Sequence, residues 1–286
     1  MKTRREIGES VRNKLNAMTP ETLGAARALV GFDGFIDSIL HMVDVRHDMS
    51  PTGYRRITKI EAFASRCAAA AGKSTNIEQV LVEDRFGGNG PLMAGALARL
   101  GMPVTYVGAV GDGAVHPVFA KFAERVREVV PVGAPSHTDC MEFDDGKLMF
   151  NNTANVQAIT WARLIERVGL VKLTRLVDDA RLLGIVNWSL LGGVPGIWRG
   201  LAREVWPRVS DSPRRLFVDL SDPAKRTDDD VRGAMAQLRE LEELRNHSRL
   251  ARASRGCEPC PAKPGKKRVD VSGLDLPQRH VHVRTE

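Results

Sequence analysis

The sequence predicts an α/β fold: a parallel sheet covered by helices on both faces, with a small antiparallel flap. Three observations predict it. Strand-like runs alternate with helical runs of about 10–15 residues, the pattern that builds βαβ units. Polar or glycine-rich corners follow strand candidates at 31–37, 87–90 and 218–226, where open α/β sheets collect their ligands. A hairpin signal at 138–152 interrupts the alternation, and a flap attached to the main sheet accounts for it.

The elements follow in order. In "RREIGESVRNKL", Ile7, Val11 and Leu15 share one helical stripe at i, i+4 and i+8. Thr19-Pro20-Glu21 predicts the cap and first turn of a second short helix. "ALVGF" (28–32) predicts a buried strand, Glu61–Ala71 an alanine-rich helix and "EQVLVE" (78–83) a further strand. Within "GGNGPLMAGALARLGMPVTYVGAVGDG" (87–113), a helix is expected from about Pro91 to Leu100 and a strand at Val104–Val110. Proline suits the first helical turn because its missing N–H has no partner there, and Gly101 suits the left-handed stop. "VFAKFAERVREV" (118–129) predicts a helix. Asp144-Asp145-Gly146-Lys147 predicts the turn of the hairpin. Two helical segments cover about 160–180, and "GIWRGLAREVW" separates the strand candidates "ARLLGIVNWS" and "RRLFVDLS". "DDDVRGAMAQLRELEEL" (228–244) predicts a helix whose acidic start suits the helix dipole.

Composition narrows the class. The 286 residues are 43% hydrophobic and 27% charged, as in globular proteins. No apolar run reaches the roughly 20 residues that span a bilayer, and "MKTRREIGES" lacks a signal-peptide core. A cytoplasmic protein with no membrane partner is expected. Cys67, Cys140, Cys257 and Cys260 are too few and too scattered for a disulfide framework. Of the net charge of +7, residues 245–286 carry +6, leaving a nearly neutral body. That tail lacks aromatics and holds prolines at 259, 261, 264 and 277, a composition that buries little. The expected division is a core over 1–244 and a basic, poorly ordered tail over 245–286.

The tail carries two further patterns. "CEPC" (257–260) with His280 and His282 has zinc-type donors, but the histidine spacing is short and no apolar core surrounds it; no metal site is expected. "KPGKKR" (263–268) lacks stacking aromatics, so nucleic acid is not expected as a partner. Trp188, Trp198 and Trp206 are expected in the core rather than on a ligand.

Asp33 and Asp37 lie after the first strand with glycines that let a ligand approach. Carboxylates there suit a polyhydroxylated ligand; equally, they could cap the following turn. "GGNG" (87–90) supplies free N–H groups at a helix start. It is neither a Walker A loop, with no Gly-Lys-Ser/Thr, nor the dinucleotide fingerprint, with Met93 in place of the third glycine. Ligand binding and helix packing both remain open for it.

"GGNGPLMAGALARLGMPVTYVGAVGDG" resembles the first signature region of the PfkB carbohydrate kinases, the ribokinase-like family, and "VGFDGFID", the hairpin and "RRLFVDLSDP" follow in that family's order. The resemblance covers roughly 28–244. It implies a three-layer α/β/α sandwich with a small β lid, here near 38–86 and 138–152. It implies transfer of phosphate from ATP with Mg2+ to a sugar or nucleoside hydroxyl. By it, Asp33 and Asp37 with Gly87, Gly88 and Asn89 would bind the acceptor, and lid strands bearing Met141, Phe143 and Phe150 would close over it, excluding water. A homodimer through the lid is the expected assembly. Two departures stand out. Leu92 occupies the place of an asparagine that touches the sugar in many members. The family's second signature, Asp-Thr-x-Gly-Ala-Gly-Asp, supplies the anion hole and the catalytic base; it is absent, "DVSGLD" (270–275) being the nearest string. No catalytic residue is therefore nominated, and a truncated or divergent C-terminal part is expected, as a change of reading frame or an error in the gene model near residue 244 would produce; the alternatives are a catalytically inactive sugar- or nucleoside-binding protein or an incomplete kinase fragment.

Overall fold

A computed structural model describes residues 3–253; the tail patterns at 257–260, 263–268, 270–275, 280 and 282 lie outside the described residues. The chain opens with α1 (Arg4–Asn16) and α2 (Pro20–Ala25), the latter capped by the Thr19 hydroxyl, which accepts from the Thr22 N–H at 3.2 Å. β1 (Ala28–Phe32) is buried along its whole length. Asp33 and Gly34 then carry the chain into β2 (Phe35–Arg46), β3 (Tyr54–Arg56), α3 (Ile60–Ala68) and β4 (Gln79–Gly87). α4 (Asn89–Arg99), β5 (Val104–Gly108), α5 (Ala120–Ala123) and β6 (Glu128–Pro131) follow, then β7 (Ser136–Phe143) and β8 (Gly146–Asn152). The remainder is α6 (Ala154–Gln157), α7 (Trp161–Val168), α8 (Leu170–Asp179), β9 (Leu182–Ile185), α9 (Val194–Gly200), β10 (Arg215–Val218) and α10 (Asp228–Ala253).

The first sheet has the order β10-β9-β1-β5-β6, parallel throughout. Its strands alternate between two cores. Leu29, Val107, Leu183 and Ile185 pack on one side with Leu164, Leu173, Ile197 and Trp198 from α7, α8 and α9. Ala28, Val30, Val104 and Tyr106 pack on the other with Ala94 of α4 and Phe122 of α5. Two apolar faces explain why these strands read as continuous apolar runs, and each buried Leu, Val or Phe contributes about 1.5–3 kcal/mol. Helix layers on both faces make the expected sandwich. Trp188, Trp198 and Trp206 are buried in the first core, as expected.

The second sheet runs β3-β2-β7-β8, with β4 also paired to β2. The hairpin expected on the main sheet is joined here instead: β7 lies parallel to β2, Phe35–Leu40 against Ser136–Met141. β2 itself escapes sequence patterning. "FIDSILHMVDVR" has strand neighbours on both edges and is buried at positions of both parities, so no polar alternation marks it. One expectation is corrected: the helix over 118–129 ends at Ala123, and Glu128–Pro131 is the edge strand β6. Val129 and Val130 contact opposite cores, a period-two demand. Pro131 sits at the strand's end, where an edge tolerates it. α10 runs through residue 244, where the composition changes.

From β1 the chain proceeds outward through β5 to β6, then returns to β9 on the other flank of β1. α4 and α9 consequently lie on opposite faces. The crevice between the ends of β1 and β9 is the switch point where such sheets bind ligands. Asp33 and Asn187 stand at its two lips.

Candidate active site

Asp33 is fully buried, and it faces the start of α4. Its carboxylate accepts from the Asn89 N–H at 2.9 Å, the Gly90 N–H at 2.7 Å and Asn187 Nδ2 at 2.7 Å. The Tyr106 hydroxyl donates to the Asp33 carbonyl. A helix start leaves its first N–H groups without partners. Here Pro91 has none, Leu92 donates to the Gly88 carbonyl at 3.2 Å, and Asp33 takes the remaining two. It caps α4 across 56 residues of sequence.

The glycines of the loop are explained by two carboxylates. A Cβ on Gly90 would stand 2.5 Å from both Asp33 Oδ1 and the Tyr106 hydroxyl, and one on Gly88 would stand 3.1 Å from Asp33 Oδ2. Gly88 also has φ of 104°, a conformation L side chains rarely adopt. A Cβ on Gly87 would overlap the Asp37 carboxylate. Gly88 and Gly90 thus admit Asp33, and Gly87 admits Asp37.

Burial pushes the Asp33 carboxyl up from 3.8 to about 6, against hydrogen bonds from Asn187, Gly90 and Asn89 that hold it down; the Asp219 charge adds to the rise. Between those values the folded protein holds a proton that the unfolded chain has released. Stability therefore falls as pH rises through that window, by on the order of 2–3 kcal/mol. Urea unfolding from pH 4 to 7.5 checks this. The stability of the unaltered chain relative to Asp33→Asn, which cannot ionise, is expected to decline up to about pH 6.5 and then level. A difference independent of pH contradicts it.

Asp37, in contrast, is half-buried on β2, opposite Arg85 of β4 and Thr138 of β7. Burial raises its carboxyl above the usual range, while Thr138, Lys147 and His137 pull it back. Cross-strand register places Thr138, Asn151, Cys140, Met149, Glu142 and Lys147 on its face. The cations there are already matched: Lys147 pairs with Glu142 at 2.8 Å, and Arg85 pairs with Glu83. Met141, Phe143 and Phe150 belong to this second sheet but lie on its opposite face, one residue out of step with Asp37. Met141 and Phe143 are buried against α3, the Phe63 and Phe143 rings 5.5 Å apart, and Phe150 is exposed.

Two further residues complete the site: Asp219, inside the 218–226 corner the sequence marked but not named as a site residue, and Asn187, which the sequence did not mark. Asp219, at the end of β10, accepts from Asn89 Nδ2 at 2.7 Å, from the Asn187 N–H at 3.4 Å and from the Ser221 N–H at 2.8 Å. Asn187, after β9, has φ of 64°. The signal available was an amide closing an apolar strand, one of the few residue types that tolerates that backbone.

The fit for nucleotide phosphates can be tested at this loop. Its two free N–H groups are donated to Asp33, whose charge occupies the place an anion would take. Among the described residues, no group of three His, Cys, Asp or Glu could hold a metal ion. The N–H groups of this loop are taken by Asp33 and therefore do not fit a nucleotide phosphate. Cys67 and Cys140 are free thiols. Among the described residues, no helix is long and apolar enough to cross a membrane.

A family model described as prokaryotic ketohexokinase matches residues 3–252, passing the change of composition at 244. A ketohexokinase of Haloferax volcanii is 35% identical over 226 residues, which cover 78% of this chain and 59% of that protein. The chain thus spans 59% of the length of this curated relative. Similar solved structures include ribokinase from Giardia lamblia, with 12% identity and a TM-score of 0.43 over 68% of this chain and 50% of that one. A carbohydrate kinase from Agrobacterium tumefaciens has 17% identity and a TM-score of 0.44 over 70% and 55%.

Proposed function

The chain belongs to the prokaryotic ketohexokinase family of PfkB-type carbohydrate kinases, and from that premise we propose that its chemistry is ATP-dependent phosphorylation of a ketohexose-type sugar in the cytoplasm. The observation that carries the reading is Asp37. Its half-buried carboxylate lies beside Gly87, held by Thr138 and felt by the Lys147 and His137 charges, on a sheet face whose lysine and arginine form their ion pairs with Glu142 and Glu83. An open acceptor of hydrogen bonds with no unmatched positive charge suits a neutral polyol and disfavours a sugar phosphate.

In this reading Asp37 orients the acceptor hydroxyls, Gly87, Gly88 and Asn89 form the floor beneath them, and Asp33 holds that floor in place. The second sheet is the lid, turning its Asp37 face to the acceptor and carrying Met141, Phe143 and Phe150 on its back, and a homodimer through it is the assembly. ATP with Mg2+ supplies the phosphoryl group; no step is assigned to residues of this chain. The family's anion-hole and base motif does not occur in the 286 residues. A polypeptide of this sequence is therefore expected to bind acceptor with little or no turnover, as a sugar-binding protein would.

The experiment is a paired one. Calorimetry with D-fructose, D-glucose, D-ribose and adenosine measures binding; a coupled ADP-release assay with each, in Mg2+ and ATP, measures transfer. The expected outcome is saturable binding of a ketose with transfer near background. Robust transfer overturns the expectation of impairment. Absence of binding to every member of the panel overturns the acceptor site.

A further inference from the structure

We propose that Asp219 and Asn187 are positioning residues of the acceptor site, closing a ring of hydrogen bonds with Asp33 and Asn89 that holds the 87–90 loop in register with Asp37. The proposal rests on the reading of that loop as the acceptor floor.

Four contacts make the ring. Asn89 donates its backbone N–H to Asp33 at 2.9 Å and its side-chain Nδ2 to Asp219 at 2.7 Å. Asn187 mirrors this, donating Nδ2 to Asp33 at 2.7 Å and its backbone N–H to Asp219 at 3.4 Å. Two asparagines thus bridge two carboxylates, and within the ring each carboxylate accepts one backbone and one side-chain bond. The ring joins the ends of β1, β9 and β10 to the start of α4, spanning the switch point of the sheet.

Capping alone does not require this arrangement. Asp33 already takes both free N–H groups of α4. The tie from Asp219 adds nothing to the cap; it fixes the Asn89 side chain and with it the rotation of the loop next to Gly87 and Asp37. The backbone points the same way. Asn187 and Ser221 have φ of 64° and 61°, rare conformations for residues with a Cβ. One belongs to the ring, and the other donates its N–H to Asp219 at 2.8 Å. Such conformations cost free energy and persist where their surroundings over-determine them, above all at ligand clamps. The amide of Asn187 cannot be reversed, since its Nδ2 is needed at Asp33; its Oδ1 is buried and has no partner.

The test is Asp219→Asn. Asn89 Nδ2 and the Asn187 N–H share Asp219 Oδ2 while the Ser221 N–H takes Oδ1, so asparagine, with a single neutral oxygen, weakens the two ring bonds and leaves at least one of the three donors without an acceptor. Residue-resolved amide exchange by NMR on the ligand-free chain is expected to speed up about tenfold at Asn89 and Gly90, with helices remote from the loop unchanged. D-fructose affinity is expected to fall about tenfold, the size of one charge-assisted hydrogen bond, with a melting temperature within about 3 °C of the parent. Unchanged exchange at Asn89 and Gly90 overturns the proposal. So does a uniform rise in exchange, which marks general destabilisation. If Asp219→Asn does not fold, Asn187→Gly decides. It keeps the left-handed backbone and removes only the donor to Asp33, and the same local acceleration is expected. If the unaltered chain binds no ketose, the acceptor reading falls while amide exchange still decides the ring.

Discussion

Replacing Asp33 with alanine is expected to lower the stability of the fold by about 3–5 kcal/mol. The residue is fully buried, and three donors converge on it: the N–H groups of Asn89 and Gly90 and the side-chain amide of Asn187. A buried donor left without an acceptor costs about 1–3 kcal/mol. Relief from burying a charge offsets part of that sum, since burial is the largest influence on this carboxyl and disfavours its ionised form. In a chain of this size, 1 kcal/mol corresponds to roughly 2–4 °C in melting temperature, so a fall of about 10 °C is expected. Asp33→Asn, which retains one acceptor oxygen, is expected to lose about half as much. A melting temperature for Asp33→Ala within about 2 °C of the parent would show that the start of α4 does not depend on this cap.

Replacing Asp37 with asparagine acts on a different quantity. Its side chain is tied to Thr138 rather than to the start of a helix, and its half-buried place on β2 leaves the fold expected intact. Acceptor binding is the property at risk. Two hydroxyl donors to one carboxylate are each worth about 1.5–3 kcal/mol; at 1.4 kcal/mol per tenfold, their loss weakens binding about a hundredfold. Gly87→Ala reaches the same end by space rather than charge, because its Cβ overlaps the Asp37 carboxylate. Calorimetric affinities of both variants for D-fructose, with their melting curves alongside, check the pair. Parental affinity in Asp37→Asn removes this residue from the site.

The difference between the two aspartates is what the sequence could not convey. Asp33 and Asp37 are four positions apart in one short "GFDGFID" run after the first strand, so both the capping and the ligand-binding roles fit either one. The fold separates them. Asp33 sits where the chain leaves the first sheet, under a helix that begins 56 residues later. Asp37 sits inside a strand of the second sheet. β1, α4 and β5 were legible because apolar period and glycine stops agree there. β2 was not, being covered at positions of both parities, and β6 was hidden in a short run whose valines also fit a helical period. The corner holding Asp219 was legible as a strand end, but its meeting with Asn89, and the part of Asn187, came through strand order: β9 and β10 lie on the flank of β1 away from β5, and nothing local to either residue announces Asn89 as a neighbour. The lid residues illustrate the same limit. The hairpin is legible at 138–152, yet a one-residue alternation decides that Thr138 and Cys140, not Met141 and Phe143, share a face with Asp37.

The central claim, that a ketose rests on the 87–90 loop against Asp37, is tested most directly by isothermal titration of D-fructose into the unaltered chain, with Asp37→Asn as the paired control. The account predicts saturable one-to-one binding by the unaltered chain and a loss of about a hundredfold in the variant. Equal affinity in the two proteins, or no saturable heat with the unaltered chain, would contradict it.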